Sequence, residues 1–507
     1  MKLSLRHWNI VIGFGLLLFI TGCAGSRTAF DPQRKYAPAI LREDYTLFRN
    51  VLEESHPGLY WFSPKDTMDR YFQEGYQQLN DSLTEPEFRR LLSYVASRIN
   101  CGHTTVKYSK KYSRYLDTLR QPIFPLSMKV WPDSMVVAAN LNRRDSILRR
   151  GTVITAIDGH STRQLTDTFF SLLSGDGHIL TGKYQSLSNR GSFGGFYRTV
   201  YGLRDQFRIR YIDPTGNEQE VMTPVYNPPP DTPVKNITAQ GNRKPEKEAP
   251  RPVILRGSRN IQLDTTLHSA YMTVNTFERG HTLKRFFRRS FRELQRRDMR
   301  YLVLDVRGNG GGDAGNSTLL TRYLADHRFI LADSLYAVKR SSRYSQHIQW
   351  QSVFWMMTQF MTRKRSDGHY HFGYFEKHAF RPKKRHHFNG DIYILTGGNS
   401  FSATTLFAKV LKGQSNVKIV GEETGGGAYG NNAWMIPDVT LPNTRVRFRL
   451  PRFRMVVDKD LVAAGRGILP DIEVAATAES IRLGTDPKID TVRQLILQKA
   501  GLVRVKQ

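Results

Sequence analysis

The sequence predicts a multidomain α+β chain: a helical domain, then a β domain, then an α/β core. Three observations predict it. From about residue 270, short apolar runs alternate with stretches of helical spacing, as in strands and helices layered on one sheet. Residues 122–225 read as β with one short helix. Ahead of them, apolar residues recur at helical spacing. With 507 residues, 39% hydrophobic and 24% charged, the chain can bury two or three cores.

The expected divisions are a leader over 1–22, a tether over 23–39, a helical domain over 40–118, a β domain over 119–226, a linker over 227–258, a core over 259–485 and a terminal helix within 486–507. Leu41, Tyr45, Phe48, Val51 and Leu52 share one helical face, and His56-Pro57-Gly58 ends it. Helices follow over about 68–79 and 85–99, the second begun by Thr84 with Glu85 and Glu87 at its positive end. In Asn100-Cys101-Gly102-His103-Thr104-Thr105-Val106 a turn opens into a strand, with His103 at its mouth. Gly151, the alternating residues after it and Asp158-Gly159 read as turn, strand and turn, followed by a helix over 165–173. This stretch resembles the central strand and groove helix of a PDZ domain, which binds a peptide C-terminus by adding it to a sheet edge. Residues 227–251 are poor in apolar residues and rich in Pro, Lys and Glu, as in a linker.

In the core, strand 270–274 precedes a helix over 282–297 whose buried face is Leu283, Phe286, Phe287, Phe291 and Leu294, with arginines on the solvated face. Strand 301–306 runs into Gly308-Asn309-Gly310-Gly311-Gly312. Helix 315–325 and an aromatic and basic insertion over 335–389 follow. Ile392 to Leu395 form a buried strand, 397–400 a turn, and Ala403, Leu406, Phe407, Val410 and Leu411 a helix ended by Gly413. Strand 417–420, strands around 445–450 and a helix over 490–500 complete the chain.

Ser402 falls where that turn meets the helix. Two readings are open: an N-cap bonded to the N–H of Thr405, or a nucleophile whose developing anion would be held by helix N–H groups, Ala403 first. The glycine run lacks a Gly-Lys-Ser/Thr and a complete Gly-x-Gly-x-x-Gly at a helix start, so it reads as backbone approaching a substrate rather than as a phosphate loop.

The balance of 75 basic and 45 acidic residues, +30, is scattered without a nucleic-acid-binding signature, so no nucleic-acid partner is expected. The basic start with Lys2 and Arg6, the apolar run over 10–20 and Ile20-Thr21-Gly22-Cys23 resemble a bacterial lipoprotein signal. That implies lipidation at Cys23 and a place in the cell envelope, on the periplasmic or outer-membrane side, with Cys101 the one cysteine left. No metal or other cofactor is expected: His369, His371, His386 and His387 lack zinc-site spacing.

Four motifs then occur in order: Asp305-Val306-Arg307-Gly308-Asn309-Gly310-Gly311, Asn399-Ser400-Phe401-Ser402-Ala403, Gly421-Glu422-Glu423-Thr424 and Gly467-Ile468-Leu469-Pro470-Asp471. With the Gly102-His103-Thr104 step and the PDZ-like middle, they resemble the tail-specific (C-terminal-processing) serine peptidases over about 40–485. The resemblance implies a ClpP/crotonase-like core and a protein or peptide substrate. It implies Ser402 as nucleophile and an oxyanion hole from Ala403 and the Gly310-Gly311 turn. The lysine of the processing branch would fall at Gly427, so the likeness is to the tricorn-like branch, with His103 as base. That branch has a serine where Gly102 stands and a glutamate near Ala464. Glu422, Glu423, Asp458 and Asp460 are the candidates for orienting His103. The expected function is a lipid-anchored envelope endopeptidase; the alternative is an inactive peptide- or apolar-ligand-binding protein on the same fold.

Overall fold

The computed structural model describes residues 30–229, 251–462 and 464–502. The leader, Cys23, most of the tether and residues 230–250 of the linker lie outside them. The C-terminal part is built on a six-stranded sheet. Its order is Arg259–Asp264, Ser269–Val274, Tyr301–Asp305, Asp391–Thr396, Val417–Gly421 and Ile472–Glu473, parallel throughout except for the first pair. The inner strands are buried on both faces, which is why they read as unbroken apolar runs. Leu302, Leu304, Ile392 and Ile394 face a core with Phe287, Phe291 and Phe407 from the helices Leu283–Arg296 and Ala403–Leu411. The alternate residues Tyr301, Val303, Tyr393 and Leu395 face Val492 and Ile496 of the helix Pro487–Lys499. Asp305 pairs with Leu395 across neighbouring strands, so the loops that follow, 306–313 and 397–402, leave the same end of the sheet side by side. Such strand ends are where parallel sheets hold their sites.

The helices Pro38–Ser55, Lys65–Gln77 and Glu85–Ser97 begin the described chain. Both the N–H and the hydroxyl of Thr84 donate to the Glu87 carboxylate at the start of the third. Their apolar faces share one core with Val439, Leu441, Val446, Phe448 and Leu450 from near the other end of the chain. Val106–Lys107 adds to the hairpin of Asp438–Thr440 and Arg447–Arg449. The turn carrying His103 is thereby fixed between a helix and a strand pairing with distant sequence.

Between these parts an antiparallel sheet runs Leu126–Val130, Met135–Asn140, Val153–Ile157, Gln206–Ile212, Glu218–Pro224. It carries three helices where the sequence suggests one: Thr162–Phe170, three residues ahead of the expected 165–173, then Thr181–Ser188 and Ser192–Tyr201. The last two are rich in Gly, Tyr, Phe and Thr, which signal turns and strands. Tertiary packing overrides that preference, because Phe193 and Tyr197, one turn apart, both pack on Phe124. The stretch read as an insertion contributes Ser334–Ala337, Arg363–Lys364 and Tyr370–His371 to a second sheet, completed by Arg454–Val456 and Gly430–Asn431.

Candidate active site

Ser402 joins the strand Asp391–Thr396 to the helix Ala403–Leu411 with φ +57° and ψ −120°. A side chain with a Cβ is seldom found there, and such a conformation typically costs about 1–3 kcal/mol. Its hydroxyl makes no capping bond. The first turn closes instead on its carbonyl, which accepts from the Thr405 N–H at 3.0 Å and the Thr405 hydroxyl at 2.6 Å. The cap reading therefore gives way, and the backbone holds a serine at the tip of a strained strand-to-helix turn, where a nucleophile is exposed.

The glycine loop is bolted to this turn by Asn309, a fully buried residue that the sequence reading passed over. Its carbonyl accepts from the Phe401 N–H (3.1 Å) and the Thr404 hydroxyl (2.9 Å), and its side chain donates to Val274 O (3.0 Å) and accepts from the Gly311 N–H (2.9 Å). This changes the expected oxyanion hole. The Gly311 N–H is spent on Asn309, and Gly311 serves as the close approach itself: at φ +101°, a Cβ there would lie 2.7 Å from Ser402 Cβ. Gly310 faces open space, and a Cβ there would meet nothing within 4 Å. Gly310 and Ala403 line the cleft with Ser402.

His103 lines the same cleft, of about 3230 Å³. It is 5% exposed, and its ring packs on Phe401, the neighbour of Ser402, with centroids 4.7 Å apart. Burial, reinforced by the Arg449 charge, lowers it to about 3, so the imidazole is neutral. The turn is held from both sides: Thr104 bonds His56 Nε2 at 2.8 Å and its carbonyl accepts from Ser174 at 2.7 Å. Gly102 stands where the tricorn-like pattern has serine, and a Cβ there would lie 2.6 Å from Phe401 Cζ. Similarly, a Cβ on Gly427 would lie 2.5 Å from the Tyr429 ring, which fills the direction a lysine would take.

None of the four candidate acids stands beside His103. Glu422 pairs with Lys488 at 2.5 Å. Glu423 grips Arg466 through both oxygens and takes the Gly467 N–H. Asp458 pairs with Lys409 at 2.8 Å, and Asp460 is exposed. Each is occupied in tying the C-terminal loops together or faces solvent.

The carboxylate near His103 is Asp176. It comes from the loop between the helices Thr162–Phe170 and Thr181–Ser188, which docks through Gly177 N–H to Asn100 O and His178 N–H to Gly465 O, both 2.9 Å. Oδ1 accepts from the Gly102 N–H at 2.7 Å. Oδ2 is buried without a partner, and so is His103 Nδ1. Cys101, His103 and Asp176 each offer an atom, all within 4.8 Å of one another, so this is also where a metal ion could be held. Burial raises Asp176 to about 7 and Cys101 to about 11, so the thiol keeps its proton. The loop adjoins the Ala464-Gly465 position, where the tricorn-like pattern has its glutamate. The remaining histidines of the zinc question are engaged elsewhere: His371 with Glu376 and Asp367, His386 with Gln295, and His387 with Asn389.

Residues 268–474 match the model of Peptidase family S41. No curated protein matches the chain. Among solved structures, mature CPAF complexed with lactacystin is similar at TM-score 0.61 and 13% identity, over 92% of this chain and 99% of that one. A CPAF mutant with serine replaced by alanine gives 0.63 and 14%, over 93% and 99%. Residues 268–474 therefore carry a Peptidase family S41 domain, which supports a serine peptidase of the tail-specific type, and the CPAF structures share the fold.

Proposed function

We propose that the chain is a lipid-anchored endopeptidase of the bacterial cell envelope, with Ser402 as nucleophile, His103 as base and Asp176 as the group that orients His103. The observation that carries this reading is the pair of unpartnered buried atoms, His103 Nδ1 and Asp176 Oδ2, beside the cleft that holds the strained Ser402. A buried imidazole N–H and a buried carboxylate oxygen each lose about 1–3 kcal/mol when left unpaired, so they favour meeting directly or through one water.

Ser402 Oγ bonds to the scissile carbonyl carbon, and its proton passes to His103 Nε2 while Nδ1–H faces Asp176. The oxyanion is received by the N–H groups of Ala403 and Gly310. Collapse breaks the C–N bond, and the imidazolium returns the proton to the leaving amine. Water then hydrolyses the acyl-enzyme, with His103 again as base.

In this reading the antiparallel sheet of residues 126–224 is a PDZ-like unit that captures substrate tails, and the helices before it form the N-terminal domain. Support comes from its junction with the site. Asn189, next to the helix Thr181–Ser188, and Asn399, in the Ser402 turn, exchange two amide bonds of 2.9 and 3.2 Å. Tail capture would raise the local substrate concentration at Ser402.

The test is labelling of the full chain by a fluorophosphonate, with the adduct located by mass spectrometry. Labelling at Ser402, lost in His103→Ala and slowed in Asp176→Asn, is the expected result. Absence of labelling at Ser402 would overturn the assignment in favour of a binding protein on this fold.

A further inference from the structure

The helix Gln351–Met361 turns its apolar side outward. Phe360 is 86% exposed, Trp350, at its N-cap, is 65% exposed, and Val353, Trp355, Met356 and Met361 are about half exposed. The other side is seated: Phe354 packs on Phe453 and under the Arg452 guanidinium, and Thr358 is buried. A row of large apolar side chains facing water on an anchored helix is a binding surface awaiting its partner.

The charge around it identifies the partner. Six basic residues and no Asp or Glu lie between Ser334 and Ser366; Lys339 and Arg343 pair with Glu54, and Arg365 pairs with Glu376. Arg363 and Lys364 are exposed directly beyond the helix. A second copy meeting this surface about a two-fold axis would bring two such basic segments together, which like charges oppose. An anionic bilayer offers both terms at once: acyl chains for Trp355 and Phe360, and headgroups for Arg363 and Lys364. At 11 residues the helix is about 16 Å long, and none of the described helices is long and apolar enough to cross a membrane. It would lie in the interface.

We propose that this helix is an interfacial anchor for an anionic membrane, independent of any lipid on Cys23. Trp350 also lines the cleft of Ser402, so docking turns the cleft mouth toward the bilayer and favours polypeptide tails at the membrane surface. That last consequence rests on the peptidase reading; the membrane contact does not.

The experiment follows tryptophan emission of the full chain with vesicles of brominated phosphatidylcholine, with or without phosphatidylglycerol. The quantity read is the quenching that disappears in Trp355→Phe, which isolates this helix from the common N-terminus. We expect such quenching with phosphatidylglycerol present. Arg363→Gln/Lys364→Gln should weaken the vesicle affinity it reports about 25-fold, at about fivefold per basic residue. Phe360→Ser should weaken it about tenfold, while cleavage of a soluble peptide stays unchanged. If parent and Trp355→Phe are quenched alike, the proposal falls. It also falls if light scattering shows a dimer that Phe360→Ser dissolves while Trp355 stays unquenched, since a second copy is then the occupant.

Discussion

Replacing Asp176 by asparagine tests the proposed mechanism at its most specific point. The side chain is 2% exposed, and Oδ1 takes the Gly102 N–H at 2.7 Å. That N–H needs an acceptor, so the amide of Asp176→Asn keeps its oxygen there and turns its NH2 toward His103 Nδ1. A donor in that place stabilises the tautomer with Nδ1 as acceptor and the proton on Nε2, the wrong form to accept a proton from Ser402. The expected loss is about 10³–10⁴ in kcat, the scale known for a forced wrong tautomer, with KM little changed because Asp176 does not face substrate. The pH profile supplies a second readout. Asp176 must be charged to stabilise the imidazolium, and burial raises it to about 7, so the parent's kcat/KM should climb through a limb near pH 7 that the variant lacks. Stability should move the other way. The folded-state value lies above the ordinary aspartate value of 3.8, so the unfolded chain releases this proton first. The contribution of Asp176 is full below about pH 4 and is lost as pH rises to about 7. At pH 8 the variant, free of a buried charge, should melt no lower than the parent. Activity on a fluorogenic peptide across pH, alongside thermal melts, measures both. A variant that keeps its activity, or loses activity only in proportion to lost fold, would refute the assignment of Asp176 to His103.

Three further outcomes follow from the same geometry. Ser402→Gly should abolish cleavage yet raise stability by about 1 kcal/mol in denaturant titration, because glycine accepts φ +57° and ψ −120° without strain. Asn309→Ala should destabilise by about 1–3 kcal/mol, the usual range for orphaning buried partners. It should also lower kcat more than it raises KM, because the Asn309 side chain ties Gly311, which closely approaches Ser402, to Val274. Twelve Lys and Arg against four Asp and Glu line the cleft, so peptides with acidic tails should be cleaved at a kcat/KM that falls steeply with added salt, whereas neutral peptides should respond little.

Much of the core was legible because its signals are local. A doubly buried parallel strand reads as an apolar run, and Phe287, Phe291 and Leu294 mark their helix face by spacing alone. Ser402 and the glycine loop could be named because a turn between such a strand and such a helix must carry small residues. Other features depended on which segments meet. The helices of residues 181–201 follow from packing on Phe124 against their own propensity. Asn309 looks like an ordinary turn residue until its bonds to Val274, Gly311, Phe401 and Thr404 are traced.

By itself, then, the sequence determined the layered core, the order of its elements and the serine at the strand-to-helix turn, since periodicity and turn chemistry are properties of neighbouring residues. Only the tertiary structure decided which acid stands beside His103. Glu422, Glu423 and Asp458 lie close to the motifs in sequence but are engaged with Lys488, Arg466 and Lys409. Asp176, 73 residues beyond His103 in the loop between the helices Thr162–Phe170 and Thr181–Ser188, arrives because Gly177 and His178 dock that loop on Asn100 and Gly465. Long-range hydrogen bonding of backbone groups leaves no trace in residue spacing, and the partner it brings to the site is therefore a property of the fold.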